Sequence, residues 1–227
     1  MWSKIIFILL IFPALIIPSC KLANDTQIPD TRLKVTATIF PLYDFASAVG
    51  EEKISVSMLL PPGADAHNYE SKPEEIVKVT NSDVFLFINF EMEQWAYKII
   101  SAATEKTNML AVETGKGTFL LPLAVAGEQE QDEYGGQHAS RFDPHIWLDL
   151  ANAQTIIDNI TEAFINKDQA NSDYYKNNAR KYKSRLAALD KKYREKLALC
   201  KSDVILHAGH WAFAYLAVGA FGTLRDA

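Results

Sequence analysis

Five histidines could take part in chemistry, and His145 has the most informative surroundings, within residues 143–149 (DPHIWLD). Pro144 has a fixed φ and biases Asp143 towards an extended backbone, so His145 follows a stiff approach. A neighbouring carboxylate or carbonyl can accept the N–H of one ring nitrogen and leave the other nitrogen for a metal. A single histidine of this kind is more often structural than a ligand, so the other histidines decide the case.

The composition and the absence of several motifs restrict the classes of function. The 227 residues are 48% hydrophobic and carry a formal net charge of −5, as expected for an ordinary globular protein. The negative charge argues against nucleic acid as a partner. Since the sequence contains no CxxC pair, GxGxxG or P-loop pattern, thiol-redox, dinucleotide and nucleotide-phosphate chemistry have no support.

Residues 1–20 are predicted to be a signal peptide, because a short charged start precedes an uncharged apolar run too short to cross a bilayer. The run ends in Ile17-Pro18-Ser19-Cys20, which is similar to a bacterial lipobox and predicts lipid attachment at Cys20. The alternative is a plain signal peptide with an incidental cysteine. Residues 21–33 are expected to tether the lipid to the folded part, which predicts an exported, membrane-anchored protein, periplasmic or on the cell surface.

Strands and helices alternate through residues 34–170. Predicted strands cover residues 34–40, 55–60 and 83–88, and predicted helices cover residues 42–49, a segment from Pro73, 91–103 and 152–164. Residues 83–88 form a nearly continuous apolar run, which is typical of a strand buried on both faces of a parallel sheet. The alternation predicts an N-terminal α/β lobe with parallel strands.

Residues 121–140 interrupt this alternation and contain four acidic residues together with His138. One interpretation is a mobile surface loop. The other is an acidic, histidine-bearing loop that gathers metal weakly near the site.

Residues 171–200 are predicted to form a long connecting helix, with apolar residues at steps of three and four from Tyr175 to Leu197. Its other face is rich in Lys and Arg, and a solvated face is favoured over contact with nucleic acid or membrane. Residues 203–206 (DVIL) then predict another buried strand. Residues 201–227 are therefore expected to begin a second parallel-sheet α/β lobe, incomplete here, beyond the long rigid helix.

Three histidines are expected where ligands bind in parallel α/β sheets, beyond the carboxyl ends of the strands. His67 follows the second strand, His145 lies on an extended segment, and His210 follows the first strand of the second unit. Neutral imidazole nitrogens suit Zn²⁺, usually in tetrahedral geometry. The alternative for such ligands is a zinc-dependent hydrolase with Glu70 as the nearest general base, but no HExxH or comparable motif is present.

Residues 61–70 (PPGADAHNYE), 143–149 and 209–216 (GHWAFAYL) resemble, in this order, three signature stretches of the metal-binding lipoproteins of ABC importers, the zinc and manganese group called cluster A-I. The resemblance implies two α/β lobes, a rigid connecting helix and a metal between the lobes. It also implies delivery of the metal to a membrane permease and its ATPase, by a monomer that is not an enzyme. No motif speaks for or against a surface adhesin that only retains the scaffold.

The resemblance assigns the first three metal ligands to His67, His145 and His210. His207 competes for the third position, and the sequence AFAY after Trp211 favours His210. Manganese-binding members usually have Glu at this position, so His210 favours Zn²⁺, with Mn²⁺ as the alternative.

Several departures from the family pattern accompany the resemblance. Ala66 and Ala214 replace the usual Pro and Gly. The fourth ligand of the family, an acidic residue late in the second lobe, would fall beyond Ala227. The chain is therefore expected to be a truncated member that binds zinc weakly, with a protease-sensitive tail after about Cys200.

Overall fold

A computed structural model describes residues 30–104, 107–123, 141–202 and 204–221 of the chain. Two compact units are distinguished, Met1–Thr31 and Arg32–Ala227, and every element below belongs to the second. Its strands are β1 (Leu33–Ala37), β2 (Ile54–Met58), β3 (Val84–Phe87) and β4 (Leu110–Glu113). They form one parallel sheet in the order β2-β1-β3-β4. The predicted signal peptide and Cys20 lie outside the described residues.

β4 was not predicted from the sequence, and residues 91–95 of a predicted helix are not helical. The helices otherwise alternate with the strands as predicted. They are α1 (Phe40–Gly50), α2 (Pro73–Thr80), α3 (Ala96–Thr104), α4 (Leu150–Lys167), α5 (Ser172–Leu197) and α6 (Ala214–Phe221). Short 3-10 turns occupy Glu51–Lys53, Ile146–Leu148 and Gln169–Asn171. The predicted parallel α/β class and the long helix are thus confirmed. No helix among these residues has both the length and the apolar character needed to cross a membrane.

The core lies between the central strands and the helices α1 and α4. All four residues of β3 are buried, which explains their uninterrupted apolar sequence. On α4, Ile156, Ile157 and Ile160 are fully buried, at the spacing that places residues on one helix face. The Asp149 carboxylate caps this helix by accepting from the backbone N–H of Ala151 and Asn152, so α4 begins immediately after the segment that carries His145.

The apolar stripe predicted along α5 is buried or half-buried up to Leu186 and mostly exposed beyond it. Tyr175 and Ala179 are buried, whereas Leu189 and Tyr193 are exposed. Basic side chains such as Lys181 are exposed, as the solvated-face interpretation predicts. The rest of the protein buries α5 only as far as Leu186, so the periodic pattern continues past the surface that it packs against.

The strand predicted at residues 203–206 is wrong where the structure describes this segment. Residues 204–206 are irregular, and Val204 and Leu206 are 59% and 93% exposed. An apolar run becomes a buried strand only where a neighbouring strand satisfies its backbone, and no described strand pairs with this one. The tail predicted to be loose after Cys200 is also partly docked, because Ala214 and Tyr215 are buried. A second lobe remains a prediction.

Candidate metal centre

Three of the predicted histidines come together at the carboxyl end of the sheet. His67, His145 and His210 each offer one nitrogen, and these nitrogens all lie within 4.8 Å of one another. The Nε2 atoms of His145 and His210 are 3.1 Å apart. Two imidazole nitrogens that share a tetrahedral Zn²⁺ lie about 3.3 Å apart, from bond lengths of about 2.0–2.1 Å. The group therefore has the dimensions of a site for one metal ion.

His145 is the most firmly held member of the group. It is 4% exposed, and its Nδ1 lies 2.7 Å from Oδ1 of Asp143, which also accepts the His145 backbone N–H. A carboxylate accepts but cannot donate, so it fixes the proton on Nδ1 and leaves the Nε2 lone pair facing His210. Of the two acceptors considered from the sequence, a carboxylate or a carbonyl, the carboxylate of Asp143 contacts the ring. Asp143 is fully buried, and its Oδ2 has no hydrogen-bond partner among the described residues.

The backbone after His145 is pressed against the end of the sheet. Ile146 is fully buried in the 3-10 turn, and a Cβ on Gly115 would lie 2.6 Å from its Cδ1 and 2.8 Å from the carbonyl oxygen of Ile88. Such separations exclude any side chain at position 115 unless the backbone moves. Gly115 therefore allows the turn that follows His145 to approach the end of β3.

His67 is positioned by two contacts within its own loop and one from outside it. Its backbone N–H donates to Asp65 Oδ1 at 2.9 Å, while Asn68 Nδ2 donates to Asp65 Oδ2 at 3.0 Å. Partial burial works to raise the pKa of Asp65, but these hydrogen bonds outweigh it and hold the pKa below its ordinary value. From the segment after β3, Trp95 Nε1 donates to the carbonyl oxygen of Ala66 at 2.8 Å.

His210 lies on the segment between α5 and α6 and is exposed. Gly209 before it has φ +86°, a left-handed backbone conformation that favours glycine over residues with a Cβ. This turn directs His210 towards the other two histidines, with ring centroids 5.0 Å from His145 and 5.6 Å from His67.

The other residues weighed from the sequence do not join the group. His207 is exposed and packs against Trp211, with ring centroids 4.8 Å apart. Glu70 is exposed and is absent from the cluster of metal-ligating groups found among the described residues. His138 lies outside those residues. Of the two candidates in the third motif, the structure therefore brings His210 and not His207 to the site.

Residues that support the site from a distance were missed by the sequence analysis. Glu93 is fully buried and accepts from the Thr38 hydroxyl and from the backbone N–H of Ile88, so it joins the ends of β1 and β3. Burial raises its pKa to about 7, against the effect of these hydrogen bonds. Glu93 and Trp95 lie in a stretch predicted to be an ordinary helix, and no periodic signal distinguishes an acid that turns inward.

Comparison with known proteins matches the same part of the chain. The family model of the zinc-uptake complex component A, periplasmic (ZnuA), covers residues 35–220. The zinc-binding lipoprotein AdcA of Streptococcus pneumoniae is 30% identical over 219 residues, which are 95% of this chain and 42% of AdcA. The high-affinity zinc uptake system protein ZnuA of Bacillus subtilis is 28% identical over 223 residues, 95% of this chain and 67% of that protein.

Solved structures agree with these relatives. The Zn(II)-bound ZnuA-like domain of S. pneumoniae AdcA superposes with a TM-score of 0.69 at 27% identity, over 85% of this chain and 65% of that one. The metal-dependent lipoprotein YcdH of B. subtilis gives 0.70 at 27% identity, over 82% and 63%. The chain thus spans less than two thirds of these two structures. The family is one of zinc-uptake components and not of hydrolases. From the matched family model and the shared fold, we conclude that the chain belongs to the ZnuA family.

Proposed function

We propose that this chain captures Zn²⁺ as cargo through His67, His145 and His210. As the substrate-binding component of an ABC importer, it hands the ion to a membrane permease driven by its ATPase. The observation that carries the proposal is the convergence of three imidazole nitrogens within 4.8 Å, one of them with its tautomer fixed by a buried carboxylate. Membership of a zinc-uptake family supports the same cargo.

The chemistry of the three residues favours zinc over manganese. Imidazole nitrogens suit Zn²⁺, whereas Mn²⁺ is better served by carboxylate, carbonyl and water oxygens. The carboxylate of Asp143 is engaged with the far side of the His145 ring, and that of Asp65 accepts from the His67 backbone N–H and from Asn68. The cargo site itself therefore offers three nitrogens, with further coordination left to other oxygens or to water.

A titration in competition with a chromophoric chelator tests the proposal. We expect the purified chain to bind one equivalent of Zn²⁺. His145→Ala should weaken binding by more than about 100-fold, because substitution of a residue that only orients a ligand already costs about 10–100-fold. His207→Ala is the matched control and should leave binding unchanged. Since the Trp147 ring centroid is 5.5 Å from that of His145, its fluorescence should follow the titration.

Three results would contradict this proposal. Tighter binding of Mn²⁺ than of Zn²⁺ would reassign the cargo. A loss of Zn²⁺ affinity in His207→Ala as large as that in His145→Ala, with none in His210→Ala, would reassign the third ligand. Steady hydrolysis of ester or amide substrates that depends on zinc would favour the hydrolase interpretation.

We further propose that the protein is exported and anchored outside the cytoplasmic membrane by lipid on Cys20, and that it works as a monomer. Support comes from the lipobox-like sequence at residues 17–20 and from the relatives named as lipoproteins. Cys20→Ser should move the protein from the membrane fraction to the soluble exported fraction, because the lipid would supply the anchoring energy. Retention of the variant in the membrane, or sedimentation of the wild type as a dimer, would contradict this part.

A further inference from the structure

Tyr215 is a fully buried residue at the beginning of α6, five positions after His210. Its hydroxyl accepts from the Leu121 backbone N–H at 2.8 Å and donates to the Asp143 backbone carbonyl at 3.0 Å. Burial raises the pKa of this phenol to about 12, although the hydrogen bond from Leu121 works in the other direction. The hydroxyl therefore keeps its proton and remains a donor to Asp143.

The position of this hydroxyl is unusual because it lies within a short antiparallel pairing. Pro122 and Phe142 form a bridge, Asp143 N–H donates to the Leu121 carbonyl at 2.8 Å, and Leu123 N–H donates to Arg141 at 3.1 Å. In a regular antiparallel pair, residues 121 and 143 would exchange both hydrogen bonds. The Tyr215 hydroxyl takes the place of the second bond, because it accepts from the Leu121 N–H and donates to the Asp143 carbonyl.

This insertion connects two of the three histidines through one residue. The side chain of Asp143 holds the His145 ring, and its backbone carbonyl holds Tyr215. Tyr215 in turn fixes the start of α6, which continues directly from the segment that carries His210. The remainder of that segment, residues 204–210, is exposed, so the docked residues just after it set where His210 can lie.

We propose that Tyr215 is a positioning residue for metal binding, which holds His210 opposite His145 through the hydroxyl inserted between Leu121 and Asp143. This inference rests on the proposed function, since it concerns the geometry of the same zinc site. It assigns a binding role to a tyrosine whose ring would otherwise be only a piece of the core.

Removal of the Tyr215 hydroxyl should change the placement of His210 and leave the fold intact. Without it, Leu121 N–H and the Asp143 carbonyl can close the regular hydrogen bond directly, so neither buried group is left without a partner. The other end of α6 stays joined to α5, because Arg194 Nη1 donates to the Gly219 carbonyl at 2.5 Å. Tyr215→Phe is therefore expected to keep the fold and to loosen the placement of His210.

The test is a zinc titration of the full chain and its Tyr215→Phe variant, in competition with a chelator. We expect the variant to raise the Kd for Zn²⁺ by about tenfold, the lower end of the effect of removing a residue that orients ligands. In the His210→Ala background, the same substitution should change the Kd by less than about twofold, because the ligand that it positions is gone. Tyr175→Phe is the matched control, since Tyr175 is equally buried and its hydroxyl donates to Asp168 at 2.6 Å, away from the histidines.

Each outcome decides between the inference and the function on which it rests. If the unsubstituted chain binds no zinc, the proposed function fails and the inference fails with it. If it binds zinc and Tyr215→Phe binds equally tightly, or is weakened as much in the His210→Ala background, only the inference is overturned. Should Tyr215→Phe lower the melting temperature strongly, Tyr215→4-aminophenylalanine keeps a donor and an acceptor at the ring end. Restoration of the wild-type Kd by that variant supports the role, and failure to restore it in a folded protein overturns it.

Discussion

The two sides of the candidate metal centre are built by different means. His145 and His67 are each held by a buried residue: the Asp143 carboxylate fixes the first, and Trp95 donates to the loop of the second. His210 is exposed on an irregular segment, and its attachment to the core follows it, where Ala214 and Tyr215 are buried. Where the backbone is already ordered, metal binding has little conformational entropy left to remove. The difference indicates that the first side is preorganised and that ordering of the second side limits affinity.

Limited proteolysis should give the largest contrast between the two sides. Lys201 and Lys34 are both exposed, but Lys201 lies in the irregular segment and Lys34 within β1. Trypsin should cut after Lys201 at least about a thousandfold faster, because irregular exposed segments open at almost no free-energy cost and central strands open only with the whole fold.

Zinc should slow the cut at Lys201, since bound metal restrains His210. It should also slow the cut at Lys34, because that cut requires global unfolding and bound zinc stabilises the native state. Mass spectrometry of the fragments over time measures both rates. Equal cleavage at the two lysines, or a rate at Lys201 indifferent to zinc, would remove the distinction between the two sides.

The second contrast concerns the pH dependence of stability on the sheet side. The pKa of Glu93 is raised from its ordinary 4.5 to about 7 by burial, so the native state holds its proton more tightly than the unfolded chain does. The stabilisation of the native state by protonated Glu93 is fully present below pH 4.5 and is lost as the pH rises towards about 7. The loss amounts to up to about 3 kcal/mol in the free energy of unfolding.

Glu93→Gln should abolish that loss, because glutamine remains neutral throughout. Urea unfolding at about pH 5 and about pH 8 measures the difference in each protein. Glu162→Gln, at an exposed position on α4, is the control and should retain the wild-type pH dependence. If the stability of Glu93→Gln still falls steeply between these two pH values, the pH dependence belongs to another titratable group.

A third effect separates metal affinity from stability at the firmly held histidine. Asp143→Asn should weaken Zn²⁺ binding by about 10–100-fold, because an amide no longer stabilises the electron-donating His145 ring with a negative charge. Without zinc, the variant should unfold no more easily than the wild type, since the carboxylate oxygen Oδ2 is buried without a described partner. Calorimetric titration and urea unfolding test the two statements, and a Kd equal to that of the wild type would refute the first.

The smallest effect is expected at the loop of His67. Trp95→Phe keeps an aromatic ring against Tyr69 and removes only the N–H that donates to Ala66. A hydrogen bond of this kind contributes about 1 kcal/mol, so the Kd should rise by about fivefold. Tyr97→Phe, at a residue 63% exposed, should have no effect. An unchanged Kd in Trp95→Phe would show that the loop is held by its internal contacts with Asp65.

The sequence was sufficient to predict three of the four strands and the meeting of the histidines, for a physical reason. Parallel strands show their burial directly in the apolar run of β3, and their carboxyl ends lie at one edge of the sheet. That topology places His67 and His145 near one another before any contact is known. Motif resemblance then favoured His210 over His207, and the structure brings His210 to the group; binding of a metal by the three remains a prediction.

Features that depend on distant partners could not be predicted in the same way. The apolar residues 204–206 have the composition of a strand, but only a neighbouring strand could make them one. The bond from Leu121 to Tyr215 spans 94 positions, and nothing periodic in either segment announces it. Local sequence patterns thus predict helices and strands. The hydrogen bonds that hold the histidines in place join residues far apart in the sequence and leave no local pattern.

The antiparallel bridge between Pro122 and Phe142 has a consequence for evolution. It pairs Pro122 and Phe142, at the two ends of the acidic stretch, just before the segment of Asp143 and His145. The entropic cost of such a closed stretch grows slowly, by about 0.6 kcal/mol for each doubling of its length. Insertions and deletions between these two residues should therefore be nearly neutral for the fold, which leaves the length and charge of the stretch free to diverge while the histidines stay in place.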